Sequence, residues 1–351
     1  MKTGKLGNTD LTVSEIGLGC QSLGGGLYHG GKRQALDLVA RALDHGINYF
    51  DTADHYSLGR SEALLGRALH PVREHVIIAT KAGTLYTGAA RALLRIRPVL
   101  RSLGRPLRPF KHNLDRMRST QRRADFSLPY LTSAVDASLK RLRTDYIDLL
   151  QLHKPPASTL RSEELPATIE ALRRSGKIRY VGISCESIDD AHACLDIPGV
   201  ASVQLTINLL DQGAIAGFLP AARQRNIGVI ARNPRAAGLL TDHFGDITAE
   251  TYALNRTEFE RIRSSARRFS FLGTDERTLA QAAIRFVLQL SGVGAAIPRA
   301  LDTRELDEVL RASALPDLDP AELERIRLTR DRMNEQVRKY RYRSATYGAG
   351  T

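Results

Sequence analysis

The sequence predicts an α/β fold, a single closed parallel (β/α)8 TIM barrel, on three observations. A short apolar run, a turn and an amphipathic stretch of helical period recur eight times in strict alternation. The runs are mostly apolar on both faces, as in Ile147-Asp148-Leu149-Leu150-Gln151-Leu152, the pattern of parallel strands covered on both sides. The 351 residues fit one such barrel with long loops.

In chain order, residues 5–13 read as an N-terminal hairpin around Gly7-Asn8, closing the bottom of the barrel. Strands are expected at 15–18, 48–51, 76–81, 146–152, 180–184, 202–205, 228–231 and 294–298. Helices follow at 32–45, 61–69, 128–141, 165–175, 188–195, 214–226, 278–290 and 303–312. In the first helix, Leu36, Val39, Ala40 and Leu43 form the stripe that packs on a sheet. A further helical pattern covers 320–340, so the barrel domain is read as 1–340 and residues 341–351 as a tail. Two βα loops break the rhythm, 85–127 after strand three and 239–278 after strand seven. The first holds a candidate basic helix at 90–97, ended by Pro98. Both loops emerge at the C-terminal face of the barrel, where such folds carry their chemistry.

Composition narrows the function classes. With 42% hydrophobic and 25% charged residues the chain is neither disordered nor fibrous. No apolar run approaches the ~20 residues that span a bilayer, and the N-terminus carries no signal-peptide pattern. Cys20, Cys185 and Cys194 are too few and too scattered for a disulfide framework or a CxxC metal site. They read as small buried residues, and the expectation is a cytoplasmic protein with no metal. The net charge of +13 is concentrated: 11 of the 51 Lys and Arg lie between Leu85 and Tyr130, against Asp115 and Asp125. This insertion is either a solvated loop or a lid or contact between copies, shaping the mouth and drawing acidic substrates. Nucleic acid and membrane are disfavoured as partners, because aromatics are sparse there and no binding motif occurs.

The chemistry gathers at the ends of strands two, three and four. Asp51 and Tyr56 follow strand two, Lys81 ends strand three and His153 ends strand four. Adjacent barrel strands bring these four to one rim. A buried Lys81 needs a counter-charge, which Asp51 supplies. The ammonium then favours tyrosinate and lowers the Tyr56 pKa from about 10, making the phenol a proton donor near neutrality. His153 orients and polarises a carbonyl oxygen. Asp54, His55 and His29 either touch substrate or face water. Gly17-Leu18-Gly19 and Gly24-Gly25-Gly26 do not lead as GxGxxG into a helix, so they form no Rossmann fingerprint.

The segments GINYFDTADHYSLGRSEALLGRAL, VIIATKAG, DYIDLLQLHKP, GKIRYVGISC and AAIPRA together resemble the aldo-keto reductase superfamily over nearly the whole chain. The resemblance implies an NAD(P)H-dependent oxidoreductase without metal, reducing an aldehyde or ketone, a keto-sugar among them, or running the reverse. It implies Tyr56 as general acid, Lys81 and Asp51 tuning it, and His153 orienting substrate. It also implies that Ser184 and Gln204 hold the nicotinamide carboxamide and that residues after strand eight, Arg299 and Arg304, bind the adenosine phosphate. NADP(H) is the favoured cofactor and NAD(H) the other. Three features depart from the family pattern. Arg232, followed by Asn233, stands where an aromatic often stacks on the nicotinamide. Glu305 stands where a second phosphate-binding Arg is common, and the basic loop has no counterpart. A different class remains open, a catalytically weak nucleotide-sensing regulatory barrel whose basic loop binds a partner.

Overall fold

The computed structural model describes residues 1–24, 31–86, 122–242 and 256–333. The chain opens with an antiparallel hairpin, β1 (Thr3–Lys5) with β2 (Thr12–Ser14). Gly7 turns it with φ +56°, and a Cβ there would lie 2.3 Å from the Gly228 amide nitrogen. That contact seats the hairpin against the bottom of the barrel. Leu6, Leu11 and Val13 pack inside with Tyr49, Ile77, Ala79, Leu149, Ile230 and Ala295, so the plug is apolar on both sides. Burying each large side chain there contributes about 1.5–3 kcal/mol.

Eight parallel strands form the wall. They are β3 (Leu18–Gly19), β4 (Tyr49–Asp51), β5 (Ile77–Ala82), β8 (Ile147–His153), β9 (Ile178–Ser184), β10 (Val200–Thr206), β11 (Gly228–Arg232) and β12 (Val293–Ile297), hydrogen-bonded in that order. Bridges from Ile16 to Ala296 and from Gly19 to Arg299 close the ring. Between β5 and β8, β6 (Thr84–Tyr86) pairs antiparallel with β7 (Arg122–Ala124), a ribbon at the foot of the basic insertion.

Helices cover the outside. α1 (Gly31–Asp44), α2 (Arg60–Leu69), α3 (Leu128–Leu142), α4 (Ala157–Leu160), α5 (Leu165–Arg174) and α6 (Ile188–Cys194) come first. Then come α7 (Gly213–Ala216), α8 (Phe218–Gln224), α9 (Arg256–Arg267), α10 (Leu279–Leu288), α11 (Thr303–Ala314) and α12 (Pro320–Asp331). Capping boxes start α6 (Ser187/Asp190), α10 (Thr278/Gln281) and α12 (Asp319/Glu322), satisfying amides that a helix start leaves unpaired. α2 and α3 meet at Gly66, where a Cβ would lie 2.5 Å from the Arg141 and Leu142 carbonyl oxygens, so only glycine permits the approach. Beside it Glu62, fully buried, accepts from Thr80 Oγ1 at 2.6 Å and Arg141 Nε at 2.6 Å, tying both helices to β5. Burial pushes the Glu62 carboxyl above its ordinary range, and Arg141 opposes that.

The eight predicted strands are all present, with differences at particular elements. The first is shorter than expected, because Glu15 to Gly17 contribute bridging hydrogen bonds to Ala296 rather than a continuous ladder. The helix expected at 214–226 breaks at Gly217 into α7 and α8. The loop expected at 239–278 carries α9, whose Phe259, Ile262 and Ala266 are buried. The β6–β7 ribbon was not expected either. The candidate basic helix at 90–97, residues 334–340 of the last helical pattern, the tail 341–351 and His29 lie outside the described residues. Among the described residues no helix is long and apolar enough to cross a membrane, and no His, Cys, Asp or Glu cluster could hold a metal ion. All three cysteines are buried and free.

Candidate active site

Strand alternation sends every second side chain into the barrel. At the C-terminal rim this places Asp51, Lys81, Gln151, Ser184 and Gln204 in one buried layer above the plug. Lys81 is level with Gln151, and Gln204 with Ser184. Lys81 Nζ donates to Asp51 Oδ1 and, at 2.9 Å, to the Thr52 carbonyl. The other Asp51 oxygen accepts from Gln151 Nε2 at 3.0 Å and Gln204 Nε2 at 2.7 Å. Ser184 Oγ in turn donates to Gln204 Oε1 at 3.2 Å. A carboxylate 3% exposed and an ammonium 1% exposed are tolerable only because each meets the other and further hydrogen bonds.

Burial pulls the Lys81 amine below its ordinary pKa, while Asp51 opposes the shift and Arg232 adds to it. Burial, with the Asp51 charge second, pushes the Cys20 thiol and the Tyr49 phenol well up. Neither neighbour therefore competes with Tyr56 as a proton donor.

Tyr56 begins a short turn whose next three residues all have positive φ: Ser57 at 52°, Leu58 at 58° and Gly59 at 82°. For Ser57 and Leu58 that conformation costs on the order of 1–2 kcal/mol each. The strain is concentrated immediately after the residue that the sequence singles out. Lys81 Nζ lies 5.2 Å from the centroid of the Tyr56 ring. The His153 ring stands edge-on to Tyr56 at 6.1 Å. The four rim residues expected from the sequence are thus brought together, each less than a tenth exposed.

The residues expected to hold a nucleotide divide in two. Ser184 and Gln204 belong to the buried rim layer. Arg232, at the end of β11, donates from Nη2 to the Cys185 carbonyl at 2.8 Å. Its Nε is buried with no hydrogen-bond partner among the described residues. Asn233 follows at φ 54°, its carbonyl accepting from Asn208 Nδ2 at 3.0 Å. Arg299 and Arg304 stand apart after β12, Arg299 half-buried on the loop and Arg304 exposed in the first turn of α11. A buried guanidinium nitrogen without a partner among the described residues, on the strand next to that of Gln204 and tied to the carbonyl of the residue after Ser184, fits a flat, polar ring with a carboxamide. The donor set therefore suits a nicotinamide dinucleotide.

Two residues at the site escaped the sequence reading. Gln151 lies two positions before His153 on β8, so strand alternation alone could have pointed to it. Arg235 pairs with the Arg299 carbonyl, with Glu305 at 3.3 Å and with Glu308 at 3.7 Å. Those partners lie 64 or more residues away, and nothing local announces them.

The sequence model described as "Aldo/keto reductase family" matches residues 15–330. The uncharacterized oxidoreductase YqkF of Bacillus subtilis (strain 168) is 31% identical over 319 residues, covering 89% of this chain and 91% of that protein. The NADH-specific methylglyoxal reductase of Escherichia coli (strain K12) is 31% identical over 257 residues, 71% of each chain. Among solved structures, the holo form of aldo-keto reductase AKR11C1 from Bacillus halodurans superposes with a TM-score of 0.75 at 27% identity. The match covers 97% of this chain and all of that one.

Proposed function

The chain belongs to the aldo/keto reductase family, and from that premise we propose that it reduces an aldehyde or ketone to the alcohol, or runs the reverse, with Tyr56 as proton donor and acceptor. It is an NAD(P)H-dependent oxidoreductase. The observation that carries the mechanism is the Lys81 ammonium, fixed by Asp51 and held against the Tyr56 ring.

When the phenol gives up its proton, the charge left on its oxygen is stabilised by that cation. Asp51 keeps Lys81 in place, and the Gln151 and Gln204 amides keep Asp51 in place. His153 donates a hydrogen bond to the substrate carbonyl oxygen and holds it toward the phenol. A bound reduced nicotinamide supplies the hydride. Ser184 and Gln204 would hold its carboxamide, Arg232 and Asn233 would lie along the ring, and Arg299 and Arg304 would take the adenosine phosphate that NADPH carries and NADH lacks. Incubating the protein with NADH or NADPH and a panel of aldehydes, ketones and keto-sugars should oxidise the nucleotide with at least one of them. Tight nucleotide binding with no carbonyl consumed across the panel would remove the reading.

Preference between the two dinucleotides turns on Glu305. Family resemblance favours NADPH, but the Glu305 carboxylate accepts from the Leu301 amide at 3.3 Å and from Arg235 Nη2 at 3.3 Å. Negative charge thus already fills the start of α11, where the helix dipole would otherwise attract a phosphate. That geometry supports NADH. Glu305→Arg is expected to tighten NADPH relative to NADH by about tenfold, a change of ~1.4 kcal/mol, read by fluorescence titration with each nucleotide. An unchanged ratio of the two dissociation constants would mean that Glu305 does not set the preference and would remove this argument for NADH.

A further inference from the structure

Beside the catalytic rim stands a polar pair that the proposed hydride and proton transfers do not use. Asp54 and His55 fill the turn between β4 and Tyr56. Asp54 Oδ1 meets His55 Nδ1 at 3.2 Å, and Tyr130 of α3 donates its hydroxyl to Asp54 Oδ2 at 3.4 Å. The Asp54 amide also donates to the Lys81 carbonyl at 3.0 Å, which anchors the turn to β5. Burial, with Asp54 second, pushes the Tyr130 phenol up, so it stays a donor to that carboxylate. The side chains of Asp54 and His55 are 11% and 7% exposed.

The placement is the point. The His55 ring lies 4.7 Å from the His153 ring and 5.1 Å from the Tyr56 ring, nearer to each than those two are to one another. With Nδ1 tied to Asp54, the imidazole is held in one orientation against the two groups that would grip the carbonyl oxygen. A hydroxyl on the carbon next to that carbonyl sits about one hydrogen-bond length from the carbonyl oxygen. It would therefore meet the Asp54–His55 pair. A methylene in the same place would press on a nearly buried carboxylate and imidazole and return no hydrogen bond, which disfavours it.

We propose that Asp54 and His55, braced by Tyr130, form a specificity subsite for the hydroxyl neighbouring the reacting carbonyl, so that the substrates are α-hydroxy aldehydes or ketones. This rests on the carbonyl-reductase reading and narrows it to a substrate class.

The test measures kcat/KM for 2-hydroxypropanal and for propanal, which differ only in the hydroxyl next to the carbonyl, in the wild type and in His55→Phe and Asp54→Asn. Phe keeps a ring against Tyr56 and His153, and Asn keeps the shape of Asp54. The wild type should prefer 2-hydroxypropanal. In His55→Phe that preference should fall by about 30-fold, chiefly through KM, with Asp54→Asn following in the same direction. A wild type without preference, or variants that lose both substrates equally, would overturn the subsite and leave the carbonyl-reductase reading standing. Nucleotide binding without reduction of either aldehyde or of any carbonyl in the wider panel would remove that reading, and the subsite with it.

Discussion

Tyr56→Phe is expected to lower kcat by about 10²–10⁴-fold, the range typical of removing a positioned general acid. The affinity for nicotinamide nucleotide should stay close to that of the wild type. The substitution deletes one oxygen from a ring that is 7% exposed and leaves its packing against His55 and His153 in place. It touches neither the Lys81–Asp51 pair nor the Ser184–Gln204 hydrogen bond. Loss of the proton donor should therefore appear in kcat with little change in unfolding temperature. Steady-state kinetics on any reduced carbonyl, beside nucleotide fluorescence titration and a thermal melt, check all three expectations together. A Tyr56→Phe variant with full turnover would move the proton donor elsewhere on the rim. His55, His153 and water would then be the groups to examine.

How much of this was legible in the sequence depends on the range of each interaction. The wall of the barrel was, because a parallel strand covered on both faces must be an apolar run, and Val203 or Ile183 needs no distant partner to show that. The four rim residues were legible for a related reason: Asp51, Lys81 and His153 stand at the ends of such runs with Tyr56 five residues past the first, and neighbouring strands put their ends side by side. β3 is shorter than its apolar run suggests because Glu15 to Gly17 hydrogen-bond to Ala296 of β12 and to Lys2 and Ser14 instead of extending the ladder with β4. α9 did have a signal in Phe259, Ile262 and Ala266, spaced to share one face, but its other faces are so charged that it read as loop. The β6–β7 ribbon has three residues a side and joins positions almost 40 apart. Contacts such as Tyr130 with Asp54, 76 residues apart, depend on β4 and β5 lying side by side in the folded sheet.

The strain after Tyr56 belongs with these contacts. Ser57 and Leu58 are ordinary residues with no local preference for positive φ, and they adopt it where the chain turns from β4 into α2. Gly59 then starts α2 at φ 82°, and a Cβ there would lie 2.6 Å from the Arg141 side chain. Packing of α2 against α3 thus holds the turn, and the turn holds the phenol at the rim.

Lys81→Met should produce the largest loss of stability of any single change at the site, about 3–5 kcal/mol, because it leaves a buried carboxylate without its cation. Asp51 would keep only the two neutral amides of Gln151 and Gln204. Adding Asp51→Asn should recover a large part of the loss, since no uncompensated charge then remains, while activity stays low. Denaturant unfolding of both single variants and the double variant gives the coupling. The pH dependence has a definite sign. In the wild type, burial lowers the Lys81 pKa, so between that lowered value and the ordinary 10.5 the unfolded chain binds more protons, and this group makes stability rise with pH. In Lys81→Met that contribution is gone. A Lys81→Met variant as stable as the wild type, or one that Asp51→Asn fails to rescue, would mean that the amides of Gln151 and Gln204 suffice for the buried carboxylate and that Lys81 is not its necessary partner.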